Sequence, residues 1–400
     1  MTSPPRSQPI RCGLVIGSTH FPLHQLILVA PGLTLRSLPA VHGPLGGDPN
    51  RFGLPAIDKV DVVLVDVHWY KVAKRLGVLQ EAWRGLERSA GLIVGVDGFD
   101  TVRLGAPPDM VDRCEIVLKS PGLYRDLDLY NYEVGPYFAR NDWSSKHYPS
   151  SRRYSSGQLA KLRPVPYFVS LMPAIRRLVR ARLNLPPRTR ALRGAGDLLG
   201  TAVCAVLRRS KTLGQQGVYF VGSLSHYQRL VAAELLAEAR IPGTYGLTDV
   251  PDFVFGTPYQ TSPVPDDTKR GYWARIRSHH LNRTRTSRPD YLVAMQRHQC
   301  ALAITGYGEV THRHAEALAL GVPLVSQDLS GIDTGFSFEH GRNVLFCRPD
   351  LSNLVSTVQH AQSTEGGSIG DQGAIDWRAW ARDPLARLSR SIVGPIRELL

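Results

Sequence analysis

Short apolar runs recur along the chain, separated by stretches with helical spacing. Runs at 13–17, 25–30, 60–67, 92–97, 115–119 and 165–170 are predicted strands of a first half. Runs at 217–222, 252–255, 300–305, 322–327 and 343–347 are predicted strands of a second half. Several are apolar at consecutive positions, the pattern of strands buried on both faces. Between them, 70–88, 227–239, 290–299 and 312–320 carry helical patterns. Alternation of strand and helix predicts parallel sheets with helices on both sides.

The rhythm breaks twice, at 131–163 and at 184–216. The second break, rich in Arg, Gly and Pro, is the natural place for a domain boundary. The reading is therefore α/β: a first lobe over 1–205, a second over 206–375 and a C-terminal helical tail over 376–400. A cleft between two such lobes is where ligands usually sit.

Composition narrows the partners. The 400 residues are 43% hydrophobic and 20% charged, a globular balance. A net charge of +14 and a pI of about 9.8 suggest an anionic ligand, nucleic acid or an anionic membrane surface, and a solvated basic face accounts for the same excess. Five dispersed cysteines (Cys12, Cys114, Cys204, Cys300, Cys347) without a C-x-x-C read as buried free thiols in a reducing compartment. With no signal-peptide order at the N-terminus and no long apolar span, a cytoplasmic protein is expected, able to touch a membrane peripherally.

The densest stretch is "TGYGEVTHRHAEALALGVPLVSQD", 305–328. A buried strand ends there in Gly306 and Gly308, which let backbone approach a ligand. Thr311 is a good N-cap, and Gly321 with Pro323 a clean stop. Arg313, Glu316 and Leu320 share one face of the helix between, while Ala315, Leu318 and Ala319 are expected to point toward the sheet. A helix N-terminus with Arg313 beside it favours an anion, and Glu316 is placed to accept ribose hydroxyls. A surface Arg–Glu pair on an ordinary strand–loop–helix fits the same residues.

The run R-x-x-E-A-L-A-x-G-x-P-L-V from Arg313, followed by F-x-x-G-R-N-V-L-F-C-R-P-D-L-S-N-L from Phe338, resembles the C-terminal donor lobe of GT-B glycosyltransferases, in particular the spore-coat-maturation-like and exostosin-like groups. "GVYFVGSLSHYQRLVAAELL" resembles that lobe's first strand and helix, and "RPDYLVAMQRHQCALAITG" its penultimate helix and strand. The resemblance spans roughly 215–360 and implies two Rossmann-like lobes facing a cleft and a nucleotide-sugar-dependent transferase acting on a hydroxyl acceptor, a polysaccharide or lipid-linked glycan. It implies a nucleotide-diphosphate sugar as co-substrate and no obligatory metal or other cofactor. The donor would meet Gly222, Ser223, Gly306, Gly308 and Thr311, with Arg229 and Arg313 on its diphosphate and Glu316 on its ribose. One departure stands out: Glu309 and Glu316 have six residues between them, where many retaining members have seven.

In the first lobe, a general base is expected at a strand end. Asp97 and His68 are favoured over Asp66, Asp100 and His20. Segments 151–163 and 171–185, basic with aromatic or apolar positions, are candidate contacts for an anionic membrane or for DNA. Two further functions therefore remain open: glycosylation of hydroxylated bases in DNA, and a non-catalytic basic nucleic-acid-binding protein of the same fold. Asp126 and Asp128 form an Asp-x-Asp, expected at a strand or loop edge rather than at a metal. His279 and His280 lack a third ligand at metal spacing.

Overall fold

The run VDVVLVD is buried at six of its seven positions, and it forms the centre of the first sheet as β3 (Val60–Asp66). The computed structural model describes residues 8–15, 27, 30–37, 59–98, 104–131, 153–166, 217–223, 227–248, 288–306 and 308–400. Around β3 lie β1 (Ile10–Val15), β2 (Leu33–Ser37), β4 (Ala90–Asp97), β5 (Ile116–Lys119) and β7 (Leu162–Pro164). They form one parallel sheet in the order β2-β1-β3-β4-β5-β7. A two-residue β6 (Leu123–Tyr124) leaves this sheet.

Helix α1 (Val67–Arg75) follows β3 directly, and α2 (Leu79–Ser89) follows α1. The single helix expected over 70–88 is thus two, separated around Gly77, whose φ of 76° lies outside the helical region. In α2, buried Leu79, Ala82, Trp83 and Leu86 fall at the i, i+3, i+4, i+7 spacing of one apolar stripe. Two short helices, α3 (Pro108–Arg113) and α4 (Ser156–Leu159), and a 3-10 turn (Leu127–Asn131) also belong to the first lobe.

The second lobe repeats the design. Its strands are β8 (Val218–Ser223), β9 (Gly243–Thr248), β10 (Cys300–Ala303), β11 (Leu324–Gln327) and β13 (Leu345–Cys347). They form a parallel sheet in the order β9-β8-β10-β11-β13, the same winding as β2-β1-β3-β4-β5 in the first lobe. Helices α5 (Tyr227–Glu238), α6 (Arg288–Gln296), α7 (His312–Leu320) and α8 (Leu354–Ala361) accompany them. In each sheet the winding reverses beside its first strand, leaving a crevice between β1 and β3 and between β8 and β10.

The boundary expected after residue 375 falls inside one continuous helix, α9 (Thr364–Trp380), which packs along α7. This corrects the face assignment on α7. Arg313 and Leu320 are buried along with Ala315 and Leu318, whereas Ala319 is half-buried, because α7 is covered on more than its sheet side. Beyond α9, α10 (Pro384–Leu388), a π-helical turn (Ser389–Val393) and α11 (Gly394–Arg397) return to the first lobe. A Cβ on Gly32, just before β2, would stand 3.4 Å from Val393 and 3.6 Å from Arg397.

The lobes also meet through a small antiparallel ladder. β6 pairs with β12 (Ile332–Asp333), Tyr124 opposite Ile332 and Leu123 opposite Asp333. Gly122 precedes it at φ 136°, where a Cβ would overlap the Asp333 carbonyl oxygen. Neither strand was expected from the sequence. The strand expected over 25–30 is helical at Ile27, and that expected over 252–255 lies outside the described residues, as does the boundary at 205/206.

Candidate functional site

The second lobe's crevice opens because β8 and β10 part early. They pair only through Val218 with Cys300 and Tyr219 with Ala301, after which β8 continues beside β9 to Ser223. Two arginines fill the gap, each only 7% exposed. Arg313, from the first turn of α7, donates from Nε to the Tyr291 hydroxyl at 2.9 Å and from Nη1 to the Leu302 carbonyl at 2.7 Å. Its Nη2 donates to the Val221 carbonyl, so one guanidinium bridges both parting strands. Arg229, from α5, donates from Nε to the carbonyls of Ile304 and Thr305 at 3.2 and 3.1 Å and from Nη1 to Ser223 at 2.6 Å.

These contacts give the two arginines a structural task beside the ligand role expected of them. Both arginines lie where the sequence places them, but their named partners are backbone carbonyls and a phenol. Gly222 is explained the same way. A Cβ there would stand 2.7 Å from Arg313 Nη2 and 3.5 Å from Arg229 Nη1, so the missing side chain makes room for the guanidinia. Gly222 and Ser223 are half-buried, which leaves this strand end at the mouth of the crevice.

Helix α7 begins and ends as expected, with Thr311 extended at the N-cap and Gly321 left-handed at φ 69°. The cap is made with His314. Thr311 N–H donates to His314 Nδ1 at 3.0 Å, which places the ring proton on Nε2, 2.9 Å from the Ser326 hydroxyl. Ser326 Oγ in turn donates to the Gln327 carbonyl. Burial, opposed in part by the Thr311 carbonyl near Nδ1 and reinforced by Arg313 and Arg229, lowers the His314 pKa to about 3. The ring is a neutral strut.

Under the arginines runs a polar network that sequence reasoning missed. Gln327 Oε1 accepts from Thr305 N–H at 2.9 Å and from its hydroxyl, while Gln327 Nε2 donates to Gln228 Oε1 and the Pro349 carbonyl. Gln228 donates to the same carbonyl at 3.0 Å. All three side chains are buried, and together they fix the ends of β10, β11 and α5. The polar pair Ser326–Gln327 at the end of a buried strand was the signal available for it.

Gly306 donates to the Gly308 carbonyl at 3.1 Å, closing a tight loop ahead of α7. Both glycines are buried. Glu316 is half-buried on α7, one turn beyond Arg313, and adds to the burial that raises the pKa of Tyr291, the phenol that holds Arg313. Glu309 is 1% exposed and accepts from the Tyr124 hydroxyl of the first lobe at 3.2 Å.

In the first lobe, Asp97 ends β4 and is fully buried. Its Oδ2 accepts from the N–H groups of Gly105 and Ala106 at 2.5 and 2.9 Å, and Oδ1 lies 3.6 Å from the equally buried Lys119 ammonium. That is a carboxylate holding a loop and an ion pair. Asp66 is the N-cap of α1, accepting from Trp69 N–H at 3.3 Å. His68 is half-buried in the first turn of α1. His20 and Asp100 lie outside the described residues.

Of the basic segments, 171–185 lies outside the described residues. In the other, Lys161 donates to the carbonyls of Val111, Asp112 and Cys114 at 3.2, 3.0 and 2.7 Å, closing the C-terminal end of α3. Arg163 likewise bonds the carbonyls of Ala160 and Leu162. Asp126 caps the turn at Asp128 N–H, 3.1 Å away. His279, His280 and Cys204 lie outside the described residues. The four described cysteines are buried and free, and burial raises Cys114 and Cys347 to about 12. Among the described residues no cluster of three His, Cys, Asp or Glu could hold a metal ion, and no helix is long and apolar enough to cross a membrane.

No protein-family profile and no curated protein matches the chain. Solved structures with a similar outline include HepE of Anabaena in complex with UDP-glucose, 11% identical, covering 96% of this chain and 100% of that one at a TM-score of 0.47. A UDP-forming α,α-trehalose-phosphate synthase from Burkholderia vietnamiensis is 15% identical, covering 85% and 72% at 0.43. Sucrose-phosphate synthase from Thermosynechococcus elongatus is 13% identical, covering 98% and 99% at 0.45. The two-lobed α/β architecture stands on the strand order of the chain itself.

Proposed function

We propose that the chain is a nucleotide-sugar-dependent glycosyltransferase of GT-B architecture, with the donor seated at the crevice between β8 and β10. The observation that carries this reading is the pair of buried guanidinia at that crevice. Backbone carbonyls and a phenol hold the two guanidinia in place beside the N-terminus of α7. Fixed positive charge outside the carboxyl ends of parallel strands suits a diphosphate, and needs no reorganisation when the nucleotide diphosphate departs.

On this reading, the backbone of Gly222, Ser223 and the Gly306–Gly308 loop lines the diphosphate, Thr311 opens the helix that faces it, and Glu316 accepts the ribose hydroxyls. The hydroxyl acceptor, a polysaccharide or lipid-linked glycan, is held on the first lobe. His68, at the exit of β3 and half-buried, is better placed to take its proton than Asp97, whose oxygens already hold Gly105, Ala106 and Lys119.

A thermal-shift series with UDP, GDP, ADP and CMP sugars tests the donor site. One nucleotide class is expected to raise the melting temperature through binding to the native state, and Glu316→Ala is expected to reduce that rise. No shift with any of the four, or a shift that survives Glu316→Ala and Arg229→Lys unchanged, would refute the placement.

A further inference from the structure

The first lobe grips the second through the segment that carries β6. Beyond the Leu123–Asp333 and Tyr124–Ile332 pairs, Arg125 donates from its backbone to Gly331 at 2.8 Å and from Nε to Ser330 at 2.9 Å. From the middle of this segment the Tyr124 hydroxyl reaches Glu309, which lies between Gly308 and the N-cap Thr311. Tyr124 is itself set from behind, its N–H donating to the Tyr130 hydroxyl at 3.3 Å with the two rings 5.1 Å apart. The Tyr130 phenol is held well above its ordinary pKa chiefly by burial, with contributions from the charges of both Asp97 and Glu309. The hydroxyl bond from Tyr124 thus ties this tyrosine pair to the loop between β10 and α7.

A carboxylate as buried as Glu309 must be held by hydrogen-bond donors, and one of them comes from the other lobe. We infer that Tyr124 is a positioning residue whose hydroxyl, acting through Glu309, fixes the glycine loop ahead of α7, so that the order of the nucleoside-diphosphate crevice depends on docking of the first lobe. The part that concerns nucleotide binding rests on the function proposed above. The part that concerns the loop does not.

Hydrogen exchange on the full chain compares wild type with Tyr124→Phe, Glu309→Gln, the double variant and Arg125→Ala. In Tyr124→Phe, amides of 308–314 are expected to exchange about fivefold faster or more while those of α8 are unchanged, a local loosening. Affinity for the nucleotide whose sugar raises the melting temperature, by calorimetry, is expected to fall about tenfold. The double variant should be no worse than Glu309→Gln, since residues acting as a unit are not additive. Arg125→Ala, which removes a bond of the same segment away from Glu309, should leave 308–314 unaffected. Unchanged exchange in Tyr124→Phe, additive effects in the double variant, or the same loosening in Arg125→Ala would each overturn the inference. If the wild type binds no nucleotide, the donor reading falls, while the exchange comparison still decides the role of Tyr124.

Discussion

Replacing Arg313 with alanine is the sharpest test of the crevice. The guanidinium lies over Phe220 at 5.6 Å and supplies donors to Tyr291, Leu302 and Val221, on α6, β10 and β8. Bonds from a charged donor contribute about 1.5–3 kcal/mol each, and truncation also leaves two carbonyls at the parting strands short of a donor. Water entering the vacated space restores part of this. The net loss is expected to be about 3–5 kcal/mol, lowering the melting temperature by about 10 °C for a lobe of this size. Arg313→Lys should recover less than half, because one ammonium cannot span both strands. Urea unfolding followed by tryptophan fluorescence measures it, with Trp377 and Trp380 on the helix packed against α7 as reporters. A loss below about 1 kcal/mol would refute the bridge and return Arg313 to the role of a ligand contact alone.

His314 gives a pH signature. Its folded pKa of about 3 lies below its ordinary value, so the unfolded chain binds the extra proton between about pH 6.5 and 3, and stability falls as pH drops through that window. Between pH 7 and 5 the contribution is about 2 kcal/mol, and His314→Gln should remove that much of the pH dependence in denaturant titrations; an unchanged slope would count against a buried neutral ring. Gly222→Ala should displace the guanidinia and weaken nucleotide binding about tenfold or more, readable by calorimetry, with unchanged affinity contradicting the packing at 2.7 Å. Asp97→Asn should destabilise the first lobe by about 3–5 kcal/mol because it breaks a fully buried ion pair with Lys119 and weakens the acceptor of Gly105 and Ala106. Loss of transfer activity with stability intact would instead restore Asp97 as the catalytic base.

Much of the fold was legible because buried parallel strands announce themselves by continuous apolar runs. Val60–Asp66 and Cys300–Ala303 fall within expected strands, and α7 spans the residues its cap and stop predict. β9 was missed because GTYGLT has two glycines among six residues, and β6 and β12 because two residues cannot show a period. At the site, Arg313, Arg229 and Gly222, singled out from the sequence, are gathered by the fold around one crevice. The sequence could not show that β8 and β10 part after two pairs, and this parting is what turns the arginines toward carbonyls. The Thr305–Gln327–Gln228 network was illegible for a related reason, since its members come from three separate elements.

The last residues of the chain carry a consequence for its synthesis. Leu388, Ile392, Val393 and Ile396 are almost wholly enclosed, and Val393 and Arg397 lie against the turn that leads into β2. The lobe whose strands are made first on the ribosome is thus finished by a segment made after the whole of the second lobe. Until residues 388–396 have emerged, the apolar cluster they share with the first lobe lacks those side chains, so that lobe cannot complete its core while the second is being made.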